Sequence, residues 1–368
     1  MTIGILTFHK VNNYGAVLQN FALQKVLSNF GCEVETIDYR NNFIYRPYGL
    51  KVLKKKGLGG YVLGVGGYIT YSFRGRSTNK FRSHIKFSEP VTRSNIGLLA
   101  DKYDMFITGS DQVWNYKLTD FDKTYLLDFV NDKRKKASYA ASFGVKEIED
   151  SYQQDYSKLL GDFQYLSVRE QTGANIIKNL TGRDAKVVLD PCLLLDENEW
   201  LKVSVMPAVR FKYILVYQLG FCKSTLNFVQ DLAKKTGYNV ICLPFPMGKW
   251  IRCRCGLMEG PAELLGLIRN AEYVVTSSFH GTLFSILFNK KFFVEIPKGI
   301  AGVSSRLEDM LNELGLESRF LVNGRNNHMF EDIDYMDINR KLAAKRKESI
   351  EYLKLIIYSN NGDNHECI

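Results

Sequence analysis

The segment over 273–282 has a residue pattern that can bind an anion. A short apolar strand runs into a polar turn and then into a helix whose first turn holds His280. The first N–H groups of a helix lack intrahelical partners and lie at the positive end of the helix dipole, so they favour an anion. We predict that His280 is a general acid beside this anion, whose site is assigned to Ser277, Ser278, Gly281 and Thr282. The alternative is an ordinary helix cap made by one of the two serines.

A second polar turn, over 108–115, follows another predicted strand and contains a carboxylate. Asp111 is the candidate general base or the partner of a sugar hydroxyl. Trp114 either stacks on a sugar ring or packs in the core. Gly109, Ser110, Gln112 and Trp114 belong to the same turn and are candidate ligand contacts. The alternative is that Ser110 or Asp111 only caps a helix.

Two shorter motifs also follow predicted strands. His9 and the turn over 12–15 come after the first strand at the predicted cleft edge, and His9, Asn13 and Tyr14 are candidate ligand contacts. The alternative is a turn that uses asparagine for its tolerance of left-handed backbone. Arg169 ends another strand, where its planar guanidinium can bind a carboxylate or phosphate through two hydrogen bonds. The alternative is that Arg169 pairs with Glu170 or with a helix end.

The elements that must position these motifs alternate between strand and helix. The first strand series is predicted at 3–8, 33–39, 103–108, 136–141, 165–168 and 185–189. After an irregular stretch over 190–211, a second series is predicted at 212–218, 238–243, 273–276 and 291–295, and a long helix follows at 338–358. This alternation predicts an α/β protein with two Rossmann-like domains, 1–204 and 205–368, that face each other across a cleft. Ligands are expected where the carboxyl ends of the strands meet.

Composition excludes several classes of protein. A chain of 368 residues is long enough for two domains, and seven cysteines are too few for a disulfide scaffold. The N-terminal apolar run is too short for a signal peptide, and no stretch reaches the roughly 20 apolar residues of a membrane-spanning helix. We therefore expect a cytoplasmic protein. The net charge of +10 indicates an anionic partner.

Several ligand motifs are absent from the sequence. No Gly-x-Gly-x-x-Gly follows the first strand, no phosphate-binding P-loop occurs, and no His-Glu-x-x-His is present. The pair Cys253 and Cys255 stands alone, so a metal role is not indicated. We predict neither a metal nor a cofactor. No nucleic-acid-binding motif occurs, so nucleic acid is not expected as a partner.

Residues 44–86 interrupt the alternation of strands and helices and combine basic with aromatic side chains. The basic residues include Lys51, Lys54, Lys55, Lys56, Arg74, Arg76, Lys80 and Arg82, and the aromatic ones include Tyr61, Tyr68, Tyr71 and Phe73. Such an insert favours an anionic membrane surface, at roughly 1 kcal/mol for each well-placed basic residue. The alternative is a surface loop or an inserted helix pair.

Together the motifs resemble the polysaccharide pyruvyl transferase family over about residues 3–320. The matching segments are Thr7-Phe8-His9 with Asn13-Tyr14-Gly15-Ala16, Gly109-Ser110-Asp111-Gln112-Val113-Trp114-Asn115, Ser167-Val168-Arg169-Glu170, Asp190-Pro191, and Ser278-Phe279-His280-Gly281-Thr282. Each segment alone is a weak signal. Five in this order are specific.

The resemblance implies a GT-B-like fold and transfer of pyruvate from phosphoenolpyruvate to a sugar, with a cyclic ketal formed and phosphate released. The sugar belongs to a bacterial surface polysaccharide or its lipid-linked precursor, so a polyprenyl-diphosphate-linked acceptor at the inner face of the membrane is expected. The N-terminal domain is then expected to bind the acceptor, with contacts from His9, Asn13, Tyr14, Gly109, Ser110, Gln112 and Trp114. The C-terminal domain is expected to bind phosphoenolpyruvate. Some members of the family that this chain resembles have an arginine two residues before the motif histidine. This chain has Ser278 at that position. Arg306 or Lys298 is then the candidate for a donor-binding cation besides Arg169.

Two other functions are compatible with the sequence. A GT-B glycosyltransferase that uses a nucleotide sugar has the same fold, and it would bind a nucleotide in the second domain. A non-catalytic basic protein for an anionic polymer would show salt-dependent binding that survives the loss of His280.

Overall fold

The computed structural model describes residues 1–10, 13–41, 43–44, 75–219, 222–243, 254–255, 259–296 and 303–359. Its N-terminal half is built on a parallel sheet of four strands in the order β2-β1-β3-β4. These strands are β1 (Thr2–Leu6), β2 (Glu33–Thr36), β3 (Met105–Gly109) and β4 (Lys136–Tyr139). A small parallel sheet of β5 (Ser167–Val168) and β6 (Lys186–Val187) continues beyond β4 through single bridges between Ala137 and Tyr165 and between Ala141 and Val168.

The C-terminal half is built on a second parallel sheet, with the order β11-β10-β7-β8-β9. Its strands are β7 (Tyr213–Tyr217), β8 (Asn239–Leu243), β9 (Arg254–Cys255), β10 (Tyr273–Thr276) and β11 (Lys291–Val294). Strands β7 and β10 are buried along their whole length, as expected of parallel strands covered by helices on both faces. The predicted α/β class with two Rossmann-like units is confirmed.

Helices connect the strands within each half. They are α1 (Tyr14–Asn29), α2 (Tyr116–Thr119), α3 (Asp150–Gly161), α4 (Gln171–Thr181), α5 (Glu197–Leu201), α6 (Lys223–Thr236), α7 (Pro261–Asn270), α8 (Phe279–Leu287), α9 (Val303–Leu314) and α10 (Tyr335–Tyr358). The stretch over 190–211, predicted to be irregular, contains a 3₁₀ turn at Pro191–Leu193 and the short helix α5. Both are too short for a helical period to show in the sequence, and each begins at an aspartate, Asp190 or Asp196, that caps it.

Helix α1 packs between the two halves. Lys25 is its one charged residue, and its apolar residues belong to the same buried cluster as residues of α7 and α8. A helix with so few charged residues is expected to be buried on most of its faces, and here the polar Gln19, Asn20 and Gln24 are buried as well. Because α1 starts soon after β1, its first turn brings the loop of the N-terminal sheet against the C-terminal half.

The long helix α10, which was predicted as part of the C-terminal domain, also contacts the N-terminal half. Arg346 Nε donates to the carbonyl oxygen of Leu193 at 2.6 Å, and Ser349 Oγ accepts from the N–H of Leu189 at 3.0 Å. The ring of Tyr352 lies 6.4 Å from that of Tyr139. The helix therefore connects the two halves through these contacts.

Most of the basic insert, residues 45–74, lies outside the described residues, so its membrane association stays a prediction. Residues 75–82 are helical. Phe81 is buried in the core, and Arg82 Nε donates to the carbonyl oxygen of His9 at 2.7 Å. No helix within the described ranges is both long enough and apolar enough to cross a bilayer.

Candidate active site

The turn between β10 and α8 forms the helix start that the sequence predicts. Ser278 is the N-cap, and its Oγ accepts from the N–H of Gly281 at 3.3 Å. Thr282 Oγ1 donates to the carbonyl oxygen of Ser278 at 3.0 Å, and Ser277 Oγ accepts from the N–H of Leu219 at 3.0 Å. Each of the three hydroxyls therefore has a backbone partner within the protein. The donors that a helix start offers to a ligand are the first backbone N–H groups of α8.

His280 lies in the first turn of α8 and packs against the first turn of α1. A Cβ added to Gly15 would lie 2.0 Å from His280 Nδ1, so no larger residue fits beside the ring. The neighbouring Tyr14 ring stacks on Tyr217 with centroids 6.3 Å apart, and its hydroxyl donates to the carbonyl oxygen of Glu259. Tyr14 is thus occupied by contacts between the halves, and Asn13 caps α1 by accepting from the N–H of Gly15.

We expect Gly15→Ala to lower kcat for the reaction at this site by about 10–100-fold. Displacement of a reacting group by about 1 Å can lower a reaction rate by about 10²-fold. The added methyl group must push His280 out of position. Steady-state kinetics measure the effect, and Gly161→Ala is the matched control because a Cβ there meets nothing within 4 Å. A Gly15→Ala enzyme with normal kcat would show that the position of His280 does not matter.

Arg169, directly after β5, is the centre of a buried charged cluster. Its Nη1 donates to Asp190 Oδ2 at 2.7 Å. Its Nη2 lies 4.0 Å from Asp111 Oδ1, and its Nε lies 4.0 Å from Glu170 Oε2, both too far for a hydrogen bond. The guanidinium carbon lies 4.5 Å from the centre of the Phe279 ring. Nε and Nη2 are buried and have no hydrogen-bond partner, which is costly for a charged group and indicates a site for an anionic ligand.

Asp190 joins the turn after β3 to the start of α8 and was not among the predicted site residues. Its Oδ2 accepts from Ser110 Oγ at 2.9 Å as well as from Arg169, and it lies 3.6 Å from His280 Nε2. Its Oδ1 accepts from the N–H of Cys192 at 3.0 Å. Burial by itself would raise the pKa of this carboxyl, but the charges of His280 and Arg169 outweigh burial and hold the pKa well below its usual range. The signal in the sequence was an aspartate that follows β6 at the same sheet edge as Arg169.

Asp111, the predicted base, also lies in this cluster. It is 8% exposed, and its backbone has a φ of 71°, in the left-handed region that a non-glycine residue seldom adopts. Its Oδ1 accepts from the N–H of Gln112 at 2.9 Å, and its carbonyl oxygen accepts from the N–H of Ser142 at 3.1 Å. Strained backbone of this kind is concentrated at functional sites.

Arg306 from α9 brings a second guanidinium to the same place. Its side chain is buried, and its guanidinium carbon lies 5.4 Å from the centre of the Phe279 ring that Arg169 also contacts. Burial and the nearby charge of Arg169 lower the pKa of Arg306 to about 10. Two buried arginines on one ring provide the positive charge for an anion. Lys298, the other candidate cation, lies outside the described residues.

Trp114 requires a correction, because it cannot stack on a sugar. It is 1% exposed, its Nε1 donates to the carbonyl oxygen of Tyr125 at 3.0 Å, and its ring packs on Phe143 at 5.2 Å. Trp114 packs in the core, which was the alternative that the sequence left open. Gly109 is also buried, and a Cβ added to it would lie only 2.7 Å from Leu23 Cδ2. Gln112 accepts from Asn115 Nδ2 at 2.8 Å.

His9 also has a structural role rather than the predicted contact with the acceptor. It is 1% exposed, with Nε2 3.0 Å from Asp38 Oδ1 and Nδ1 3.2 Å from the carbonyl oxygen of Thr7. Lys10 and Arg40 each lie 3.2 Å from the same carboxylate. Burial would raise the pKa of Asp38, but His9 and the two cations outweigh it and lower the pKa below its usual range.

We expect Asp38→Asn to make the protein about 1–3 kcal/mol less stable at pH 7, the range for hydrogen bonds to charged groups. Because folding lowers the pKa of Asp38, its stabilising effect is present above the unfolded-state pKa of about 3.9 and is lost as the pH falls. Urea unfolding between about pH 7 and pH 3 should therefore show a shallower acid decline in Asp38→Asn than in the wild type. The exposed Asp101→Asn is the control. Equal acid slopes for Asp38→Asn and the wild type would contradict this account.

One group of side chains in the described part of the chain could hold a metal ion. It consists of Asp190, Cys192 and His280, whose ligand atoms lie within 4.8 Å of one another. Arg169 already pairs with this aspartate, and burial raises the pKa of the Cys192 thiol well above its usual value. A thiolate is the form that binds a metal. The donor set therefore fits a metal ion poorly, and the lack of a metal stays a prediction.

Comparison with known proteins gives the family. The family model for polysaccharide pyruvyl transferase matches residues 13–295, which include the turns with Asp111, Arg169, Asp190 and His280. The chain belongs to the polysaccharide pyruvyl transferase family. No curated protein matches the chain in sequence.

Solved structures similar to this family member give its fold. MnaA from S. aureus, in a structure with UDP, is 13% identical and has a TM-score of 0.54. The match covers 100% of this chain and 99% of the MnaA chain. A protein of Listeria monocytogenes described as a putative UDP-N-acetylglucosamine 2-epimerase is 11% identical, has a TM-score of 0.52, and has the same coverage. This pyruvyl transferase family member therefore has the GT-B fold, and the identities are too low to carry over a substrate.

Proposed function

We propose that this protein transfers pyruvate from phosphoenolpyruvate to a sugar, with a cyclic ketal as the product. The observation that carries the proposal is the unpaired Nε and Nη2 of buried Arg169, beside Arg306 and the start of α8. Phosphoenolpyruvate has one carboxylate and one phosphate, so it needs two anion-binding groups close together. The family to which the chain belongs supports the same reaction.

Each anionic group of the donor has a matching partner in the cluster. Arg169 uses Nη1 for Asp190, so the edge formed by Nε and Nη2 stays open to a planar carboxylate with two oxygens. The phosphate is assigned to Arg306 and to the first N–H groups of α8, where the helix dipole favours negative charge. This arrangement places the donor beside His280.

His280 supplies the proton that starts the reaction. Its Nε2 faces Asp190, which can orient the ring and balance the charge that the ring gains on protonation. The proton goes to C3 of the donor, which turns the methylene into a methyl group and leaves an oxocarbenium-like centre at C2. A first sugar hydroxyl bonds to C2, the C–O bond to phosphate breaks, and a second hydroxyl closes the ketal. Of the two hydroxyl protons, one replaces the proton taken from the enzyme and the other leaves on phosphate.

Asp111 is the proposed base for the attacking hydroxyl. It lies nearest Nη2 of Arg169, whereas Asp190 pairs with Nη1, and it comes from the N-terminal half, where the acceptor is expected. The acceptor is proposed to be a polyprenyl-diphosphate-linked sugar at an anionic membrane surface. The basic insert and the net charge of +10 support that choice.

The reaction is tested with labelled phosphoenolpyruvate and a panel of hexosides and polyprenyl-diphosphate-linked sugars. The expected result is transfer of the label to one acceptor, with one phosphate released for each ketal formed. Nucleotide sugars carrying UDP, CMP or GDP are offered in parallel. Transfer of sugar from one of these, with phosphoenolpyruvate left intact, would make the protein a glycosyltransferase and overturn the proposal.

A further inference from the structure

Glu170, next to Arg169, is a buried carboxyl group that the proposed reaction does not use. It is 4% exposed. Its Oε1 accepts from Ser142 Oγ at 2.8 Å, which fixes the orientation of the group. Its Oε2 is buried, has no hydrogen-bond partner, and lies 4.0 Å from Arg169 Nε, which has none either.

The spacing of these two atoms suits a ligand oxygen between them. Hydrogen bonds of ordinary length place a bridging oxygen about 2.9 Å from a nitrogen and about 2.7 Å from a hydroxyl oxygen. A separation of 4.0 Å allows one ligand oxygen to satisfy both distances. A carboxylate oxygen of the ligand carries no hydrogen, so it accepts from Arg169, and Oε2 must then act as the donor, which only a protonated carboxyl can do.

The surroundings of Glu170 raise the pKa of its carboxyl. Burial is the cause, and the charges of Arg169 and Arg306, together with hydrogen bonds from Ser142 and the Phe143 backbone, oppose that rise without cancelling it. The carboxylates of Asp111 and Asp190 face the same arginines and share their charge. A buried carboxylic acid with a raised pKa can act in its neutral form as a hydrogen-bond donor.

We propose that Glu170 in its acid form donates a hydrogen bond from Oε2 to the carboxylate of the donor substrate. The inference rests on the proposed function and assigns a further binding residue to its donor site. An ionised Glu170 would repel the same carboxylate, so donor affinity must fall once the group ionises.

The test is calorimetric titration of the full-length protein with phosphoenolpyruvate, and separately with inorganic phosphate, between about pH 5 and pH 9. The comparison is made with Glu170→Gln, because the glutamine amide presents an N–H where the acid presents an O–H. The ratio of the wild-type Kd to the Glu170→Gln Kd for phosphoenolpyruvate should rise about tenfold per pH unit above the pKa of Glu170. Because both proteins bind the same ligand at the same pH, the ratio cancels the effect of the ligand's own ionisation on Kd. The Kd for inorganic phosphate should show no such rise.

Two further variants complete the test. Glu170→Ala should weaken phosphoenolpyruvate binding at low pH by at least about tenfold, the loss of one hydrogen bond of about 1.4 kcal/mol, and the exposed Glu147→Gln should leave binding unchanged. A Glu170→Gln protein that folds normally but binds phosphoenolpyruvate more weakly than the wild type at every pH would overturn the inference, since Glu170 would then act as an anion paired with Arg169. If the wild type does not bind phosphoenolpyruvate at any pH, the proposed function fails first.

Discussion

Replacement of His280 by glutamine is expected to lower kcat by about 10²–10⁴-fold, the usual contribution of proton transfer by a placed side chain. Glutamine fills much of the same space but cannot give a proton to C3 of the donor. The KM for phosphoenolpyruvate should change little, because Arg169, Arg306 and the start of α8 stay in place. Steady-state phosphate release with the identified acceptor measures both constants.

The control for this prediction is His84→Gln, since His84 is exposed and lies outside the charged cluster. It should leave kcat unchanged. A value of kcat within about tenfold of the wild type in His280→Gln would remove His280 from the role of acid. A large rise in KM with normal kcat would instead assign it to uniform substrate binding.

Arg169→Met is expected to destabilise the protein by about 3–5 kcal/mol and to abolish donor binding. Removal of one partner of a buried ion pair leaves the other charge uncompensated. Here Asp190 would lose the partner at 2.7 Å, and Asp111 would lose the guanidinium 4.0 Å away. Urea unfolding measures the stability, and calorimetric titration with phosphoenolpyruvate measures binding.

Arg169→Lys separates the two effects. Lysine keeps the charge next to Asp190, so most of the stability should return, but an ammonium group cannot form the planar pair of hydrogen bonds to a carboxylate. Weak donor binding in a stable Arg169→Lys protein is therefore expected. Full donor affinity in either variant would show that the anion binds elsewhere.

The sequence was sufficient for the fold because its signals are local. Short apolar runs ending in polar turns predicted parallel strands, and Tyr273–Thr276 has the predicted bounds. The cap at Ser278 was predictable for the same reason. The parts of the site that depend on contacts between distant residues were harder to predict from the sequence. Whether Trp114 faces a ligand or the core depends on Phe143 and Tyr125, which no pattern near residue 114 reveals.

The charged cluster illustrates the same limit. Asp111, Arg169 and His280 were each recognisable as chemically capable residues at strand ends. Asp190 accepts from Arg169, lies 3.6 Å from His280, and also accepts from Ser110 Oγ, and only the packed structure shows that one carboxylate contacts all three. Gly15 is the clearest case, since its lack of a side chain matters only because His280 from the other half fills the space.

The most direct test of the central claim is a thermal-shift titration of the wild-type protein with phosphoenolpyruvate, with UDP, CMP and GDP sugars as comparisons. A ligand that binds only the folded state raises its stability by RT ln(1 + [L]/Kd), about 2.7 kcal/mol at one hundred times Kd. The account predicts a rise in Tm with phosphoenolpyruvate and none with the nucleotide sugars, and loss of that rise in Arg169→Lys. A rise with a nucleotide sugar and none with phosphoenolpyruvate would contradict it.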